Sequence, residues 1–171
     1  MLPKIFKPNN EYDLIRIGSN NDGGYLVEKK SLFETEYLIS FGLGLNWSFE
    51  KQFYKLNECQ IDCYDHTIKY SSLKKISRRN ILNLFKLDNI FNPNILNERL
   101  KNLFIYKDYK NFFVNKKRHI RSAIGIGTNK INLSDIIENI NSSNIFFKVD
   151  IEGSEYRILD EIIKFQNVIS G

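Results

Sequence analysis

Three acids around one glycine, in Asp150-Ile151-Glu152-Gly153-Ser154-Glu155, form the densest group of reactive side-chain types in the chain. Carboxylates gathered by a tight turn can deprotonate a hydroxyl, hold a divalent ion through hard oxygen ligands, or hydrogen-bond a positively charged amine. Acids of this kind also suit the first turn of a helix, where the macrodipole favours them. That structural use fits Glu155 better than Asp150, which ends the apolar run Ile145-Phe146-Phe147-Lys148-Val149. A second group is Phe41-Gly42-Leu43-Gly44-Leu45-Asn46-Trp47-Ser48. Its two glycines let the backbone turn sharply and approach a ligand with no Cβ in the way. A helix starting just beyond would point its free amides back into the same pocket. The pattern also describes a plain strand-to-helix turn.

Asp65 follows the glycines by about twenty residues, a spacing at which a strand-end carboxylate can accept hydrogen bonds from the hydroxyls of an adenosine ribose. Dinucleotide and S-adenosylmethionine sites share this spacing, so it speaks for a ribose and not for the reactive group. A solvated strand-end acid is the bland alternative. The fourth group lies upstream, in Arg16-Ile17-Gly18-Ser19-Asn20-Asn21-Asp22-Gly23-Gly24-Tyr25. Asp-Gly-Gly between apolar residues signals a hairpin turn. Alternatively Arg16, Asp22 and Tyr25 fold over a cofactor or acceptor as a lid.

To place these groups together the chain must alternate strands and helices, as it would in a parallel sheet covered by helices. Strands are expected at 37–41, at Gln60 to Tyr64, at His119 to Ile124 and at 145–150, with a last one beginning at Asn167-Val168-Ile169-Ser170. A helix should start at Ser48 as N-cap, with Phe49, Phe53 and Leu56 on one face. A short one should start at Leu133, and another should span Glu152 to Phe165 with Tyr156, Leu159, Ile162 and Ile163 turned inward. The Lys- and Asn-rich stretch 68–113 reads as a helical insertion. One stripe passes through Leu73, Ile76, Ile81, Leu84 and Phe85, and a second follows Asn92-Pro93-Asn94 through Ile95, Leu96, Leu100 and Leu103. Residues 1–36 read as a hairpin or lid segment, and 1–171 as one domain. With the chain ending in its fifth strand, the sheet is expected to be truncated there, its edge open to pairing in a homodimer.

Composition narrows the possibilities. The 171 residues are 42% hydrophobic and 26% charged, an ordinary globular balance. Lys and Arg number 25 against 20 Asp and Glu, a net +5, but they are dispersed and form no concentrated stripe for nucleic acid. No run approaches the ~18 apolar residues of a membrane span, and no secretory signal opens the chain, so a cytoplasmic protein is expected. Cys59 and Cys63, four apart, fit no common zinc or redox motif. A metal site can be drawn from them with Asp62 and His66, but two free thiols beside a strand are the simpler reading, and no metal is assigned.

Taken in order, four motifs resemble the FkbM-type family of S-adenosylmethionine-dependent methyltransferases. They are Arg16-Ile17-Gly18 with Asp22-Gly23-Gly24-Tyr25, Ser40-Phe41-Gly42-Leu43-Gly44 with Ser48-Phe49-Glu50, Tyr64-Asp65-His66-Thr67, and the run Phe147 to Tyr156. The resemblance implies a Rossmann-like class I methyltransferase sheet, mostly parallel, and methyl transfer to oxygen on a sugar, polyketide or related metabolite. It places Phe41, Gly42, Gly44, Asn46 and Ser48 around the amino-acid part of the cofactor, and Asp65 on its ribose. His66 and Thr67 would stand beside the adenine, and Asp150 and Glu152 near the methyl group and a small-molecule or glycan acceptor. Other readings are a nucleotide-sugar or NAD-dependent enzyme, and a truncated, non-catalytic domain that binds the cofactor or a partner protein. In Gly42-x-Gly44-x-x-Trp47 a bulky ring replaces the third glycine of the dinucleotide fingerprint.

Overall fold

A computed structural model describes residues 11–20, 22–84, 93–125, 127 and 130–171. The N-terminal segment 1–10, Asn21, Phe85 and Asn92, with the side chains of Leu84, Pro93, Asn94 and Ile95, lie outside the described residues. The chain opens with an antiparallel hairpin of β1 (Leu14–Gly18) and β2 (Gly24–Glu28), followed by α1 (Lys29–Glu34). Then come β3 (Tyr37–Phe41), α2 (Ser48–Asn57), β4 (Gln60–Tyr64), and the helices α3 (Tyr70–Leu84) and α4 (Pro93–Phe112). β5 (Lys117–Ile120) is followed by the short pair β6 (Ala123–Ile124) and β7 (Lys130–Ile131), then α5 (Leu133–Glu138), β8 (Ile145–Val149) and α6 (Glu155–Lys164).

Four strands form one parallel sheet in the order β5-β4-β3-β8. The chain therefore steps outward from β3 to β4 and β5, then returns to the other side of β3. The fold is α/β and compatible with a Rossmann-like arrangement. Ligands in open sheets of this kind bind beyond the carboxyl ends of the strands, at the point where the order reverses. Here that point is the junction of β3 and β8.

β3 is central, and all five of its residues are buried, as expected for a strand covered on both faces. Its side chains alternate between two cores. Leu38 joins Ile61, Cys63 and Phe146 under Phe49 and Phe53 of α2, Leu73 of α3, Ile105 and Phe112 of α4, and Ile17 and Val27 of the hairpin. Ile39 and Phe41 join Tyr64 and Ile145 on the opposite face, against Leu133, Ile136 and Ile137 of α5 and Ile158 of α6. Cys59 and Cys63 are free, buried thiols, and burial raises the pKa of both, Cys59 to about 11 and Cys63 well above its ordinary value.

Several sequence expectations are corrected. The strand expected at 119–124 is two: β5 stops at Ile120, and Ala123–Ile124 leaves the main sheet to pair with β7. Ser48 is the first helical residue and not the cap, a place taken by Trp47. α6 begins at Glu155, because Glu152 and Gly153 adopt left-handed backbone that no helix accepts. Its buried stripe runs through Ile158 with the half-buried Ile162, so Tyr156, Leu159 and Ile163 point outward, with Tyr156 83% exposed. Ile81 and Leu100 are likewise exposed, and the buried residues of α4 include Ile105 and Phe112 instead. Residues 166–168 form a 3₁₀ turn, and the chain joins β8 only after it: Ile169 bridges to Ile145 in parallel, Ser170 N–H donates to the Ile145 carbonyl and Phe147 N–H to the Gly171 carbonyl, both at 2.8 Å. Among the described residues no helix is long and apolar enough to cross a membrane.

Candidate functional site

The ends of β3, β4 and β8 are tied together by backbone. Gly42 N–H donates to the Tyr64 carbonyl at 3.0 Å, and Asp150 N–H donates to the Phe41 carbonyl at 2.9 Å. A cavity of 440 Å³ opens above this junction. It is lined by the Gly42–Asn46 turn, by Asp65, His66 and Thr67 after β4, by Ser122 to Ile124, by Lys148 and Asp150 to Glu152, and by Asp22 and Gly23 of the hairpin. Gly42, Gly44, Asn46, Asp65, His66, Thr67, Asp150, Glu152 and Asp22 thus converge, as the motif spacing anticipates.

Asp65 acts on the turn itself. Its Oδ2 accepts from the amides of Leu43 (3.0 Å) and Gly44 (2.9 Å), and its Oδ1 from the amide (2.7 Å) and hydroxyl (2.5 Å) of Thr67. A carboxylate offers about four acceptor sites, and all are engaged. Burial raises the pKa of Asp65, but these four bonds outweigh it, and the group is held below its ordinary value. Because the folded state lowers this pKa, its contribution is complete above the unfolded value of about 4 and is lost as pH falls through the folded one. Acid unfolding should show it: as pH falls below about 4, Asp65→Asn should lose less stability than the unaltered chain. Parallel curves would remove Asp65 from the loop's support.

Asp150, exposed at the tip of β8, accepts from the Tyr25 hydroxyl at Oδ2 across 2.6 Å. Burial, this bond and the nearby carboxylates of Asp150, Asp22 and Glu50 raise the Tyr25 pKa, so the phenol keeps its proton and donates. The hairpin reaches the site by docking on α2. Gly18 N–H donates to Gln52 Oε1 at 2.9 Å, the Tyr25 ring meets Phe49 edge-on at 5.5 Å, and Asn46 Nδ2 donates to the Asp22 carbonyl at 3.1 Å. Of the three lid candidates, Asp22 and Tyr25 reach the site. Arg16 spends two bonds on the hairpin's own turn, to the Ser19 and Asn20 carbonyls at 3.1 Å.

Three other candidates stand outside the lining. The Phe41 side chain is wholly buried in the opposite core. Ser48 is the first residue of α2, and its buried hydroxyl has no partner among the described residues. Glu155 closes the acidic turn from below, its Oε1 accepting from Ile151 N–H at 2.9 Å, and backbone donors of this turn lower its pKa.

Two residues escaped the sequence reading. Lys148 is 7% exposed, and its Nζ donates to the Gly42 carbonyl at 2.8 Å. Behind it Glu50, fully buried in the first turn of α2, lies 3.4 Å from that ammonium and accepts from Ser40 Oγ at 2.6 Å. The available signals were a lysine inside an apolar strand run and an acid on the inward face of a helix.

A larger cavity, of 830 Å³, opens on the opposite face beside α5. Its principal polar groups satisfy one another: Arg118 forks onto Asp62 at 2.7 and 2.5 Å, and Tyr37 donates to Asp62 at 2.8 Å. It lies away from the strand tips and gathers no group left over for chemistry. Asp62 and Cys63 face opposite sides of the sheet, so the metal site drawn from the sequence does not assemble, and no cluster of three such ligands stands among the described residues. No family model, curated protein or solved structure matches the chain.

Proposed function

We propose that the chain is an S-adenosylmethionine-dependent methyltransferase of the FkbM type, acting on a hydroxyl of a sugar or small metabolite. The observation that carries this reading is the sign of the cavity. In a chain of net charge +5, the pocket at the strand-order reversal is lined by four carboxylates, Asp22, Asp65, Asp150 and Glu152, and by one lysine. Such a lining favours a ligand with positive charge and disfavours a pyrophosphate. Trp47, buried against Tyr109 and Phe113, also blocks the close helix–strand packing that the third glycine of a dinucleotide site would allow. The four motifs shared with the FkbM-type family point the same way.

In this reading the Gly42–Gly44 turn and Asn46 receive the amino-acid part of the cofactor, and His66 and Thr67 the adenosyl part. Asp65 would meet the ribose by yielding a bond from Thr67 while keeping its hold on the turn. The cofactor supplies an already activated methyl group. What remains for the protein is to align the acceptor, exclude water and take a proton. Asp150 is placed for the last: Tyr25 occupies Oδ2 and orients the carboxylate, which leaves Oδ1 to accept the proton of an acceptor hydroxyl. Glu152, on the same rim, lies within the lining to hold the acceptor's other hydroxyls.

Titration of S-adenosylmethionine into the folded protein should give heat, and NAD should give none. At a hundredfold excess over Kd the gain is about 2.7 kcal/mol, a rise in melting temperature of roughly 5–10 °C. Folded protein that ignores S-adenosylmethionine in both measurements would refute the assignment.

A further inference from the structure

The floor of the cavity holds a buried ion pair that stability does not explain. Lys148 and Glu50 are 7% and 0% exposed, and Glu50 Oε2 has no hydrogen-bond partner among the described residues. Desolvating two charges and leaving one oxygen unsatisfied is generally less favourable than packing apolar side chains in the same space. The pair is placed where it touches the ligand turn. The Lys148 ammonium lines the cavity, bonds the Gly42 carbonyl, and lies 5.8 Å from the centre of the Tyr25 ring, whose hydroxyl holds Asp150. A lysine here secures the turn but also sets a positive charge beneath the bound ligand. Glu50, behind it at 3.4 Å, cancels that charge without entering the cavity.

We propose that Glu50 and Lys148 set the charge preference of the site: Lys148 secures the Gly42 turn, and Glu50 neutralises it so that a sulfonium ligand is not repelled. This rests on the function proposed above. The cofactor carries one positive charge more than its demethylated product, S-adenosylhomocysteine, and the two are otherwise nearly the same shape. Their affinity ratio therefore reads the charge of the floor and is blind to a general loosening of the turn, which weakens both alike.

The experiment is calorimetric titration of both ligands into the unaltered chain, Glu50→Gln and Lys148→Met. Glu50→Gln leaves the lysine uncompensated and should lower the affinity for S-adenosylmethionine relative to S-adenosylhomocysteine by about tenfold, the effect of a unit charge roughly 10 Å away at an effective dielectric of about 20. Lys148→Met, which leaves the carboxylate, should move the ratio the other way by a similar factor. A folded variant in which both ligands weaken equally would overturn the proposal and leave the pair a structural brace. If neither single variant folds, the double variant, which leaves no unpaired charge, should fold and keep the unaltered ratio. A ratio displaced tenfold there would also overturn the proposal. An unaltered chain that binds neither ligand would instead fail the methyltransferase reading, and this inference with it.

Discussion

Gly42→Ala should destabilise the fold by about 3–5 kcal/mol, at the far end of what single substitutions do. A Cβ at this position would lie 1.8 Å from the Asp150 carbonyl oxygen, and the neighbour is backbone of β8, which cannot turn aside. The residue also sits at φ +80, where a side chain adds strain of its own. Gly44 separates the two causes. It has φ +56 but no atom within 4 Å of its missing Cβ, so Gly44→Ala carries only the backbone cost of about 1–2 kcal/mol. Urea unfolding of the two variants gives the difference directly. Equal losses would mean that β3 and β8 do not approach each other here as described.

Asp150→Asn should lower the rate of the proposed methyl transfer by about 10²–10⁴-fold, the usual contribution of a general base. The amide keeps the shape and can still receive the Tyr25 hydroxyl, but it cannot take a proton. Tyr25→Phe should cost less, about tenfold, because it removes only the group that orients the carboxylate. The rate is read as S-adenosylhomocysteine released in the presence of sugar and polyol acceptors. Asp150→Asn turning over at the unaltered rate would take the base role away from this residue.

Much of this site was legible because it lies at strand ends, where chemistry and punctuation coincide. Gly42, Asp65 and Asp150 mark strand ends, and the strands at 37–41 and 60–64 stand where the pattern puts them, while the one expected at 145–150 ends a residue earlier. What failed was the helix faces. In α6 the apolar residues form one broad face, and periodicity alone could not tell which of its edges, the Ile158 side or the Tyr156 side, would be buried. Packing of Ile158 and Ile162 against α5 and the sheet made that choice. Likewise Asp65 reads from sequence as a ribose acid. Only the fold shows its oxygens already held by Leu43, Gly44 and Thr67, since those bonds depend on how the glycine turn leans toward β4. The buried Lys148–Glu50 pair was hidden for a related reason: a charge inside a strand looks like an edge or a solvated face until its partner on another element is known.

The order of strands also governs how the molecule comes into being. β3 is flanked by β4 early, but its other neighbour arrives late; the Lys148 side chain meets the Gly42 carbonyl across 106 residues of chain. Closing so large a loop before any contact rewards it makes folding slow. On a ribosome, the apolar middle strand must wait with one flank bare until residues 145–149 have emerged.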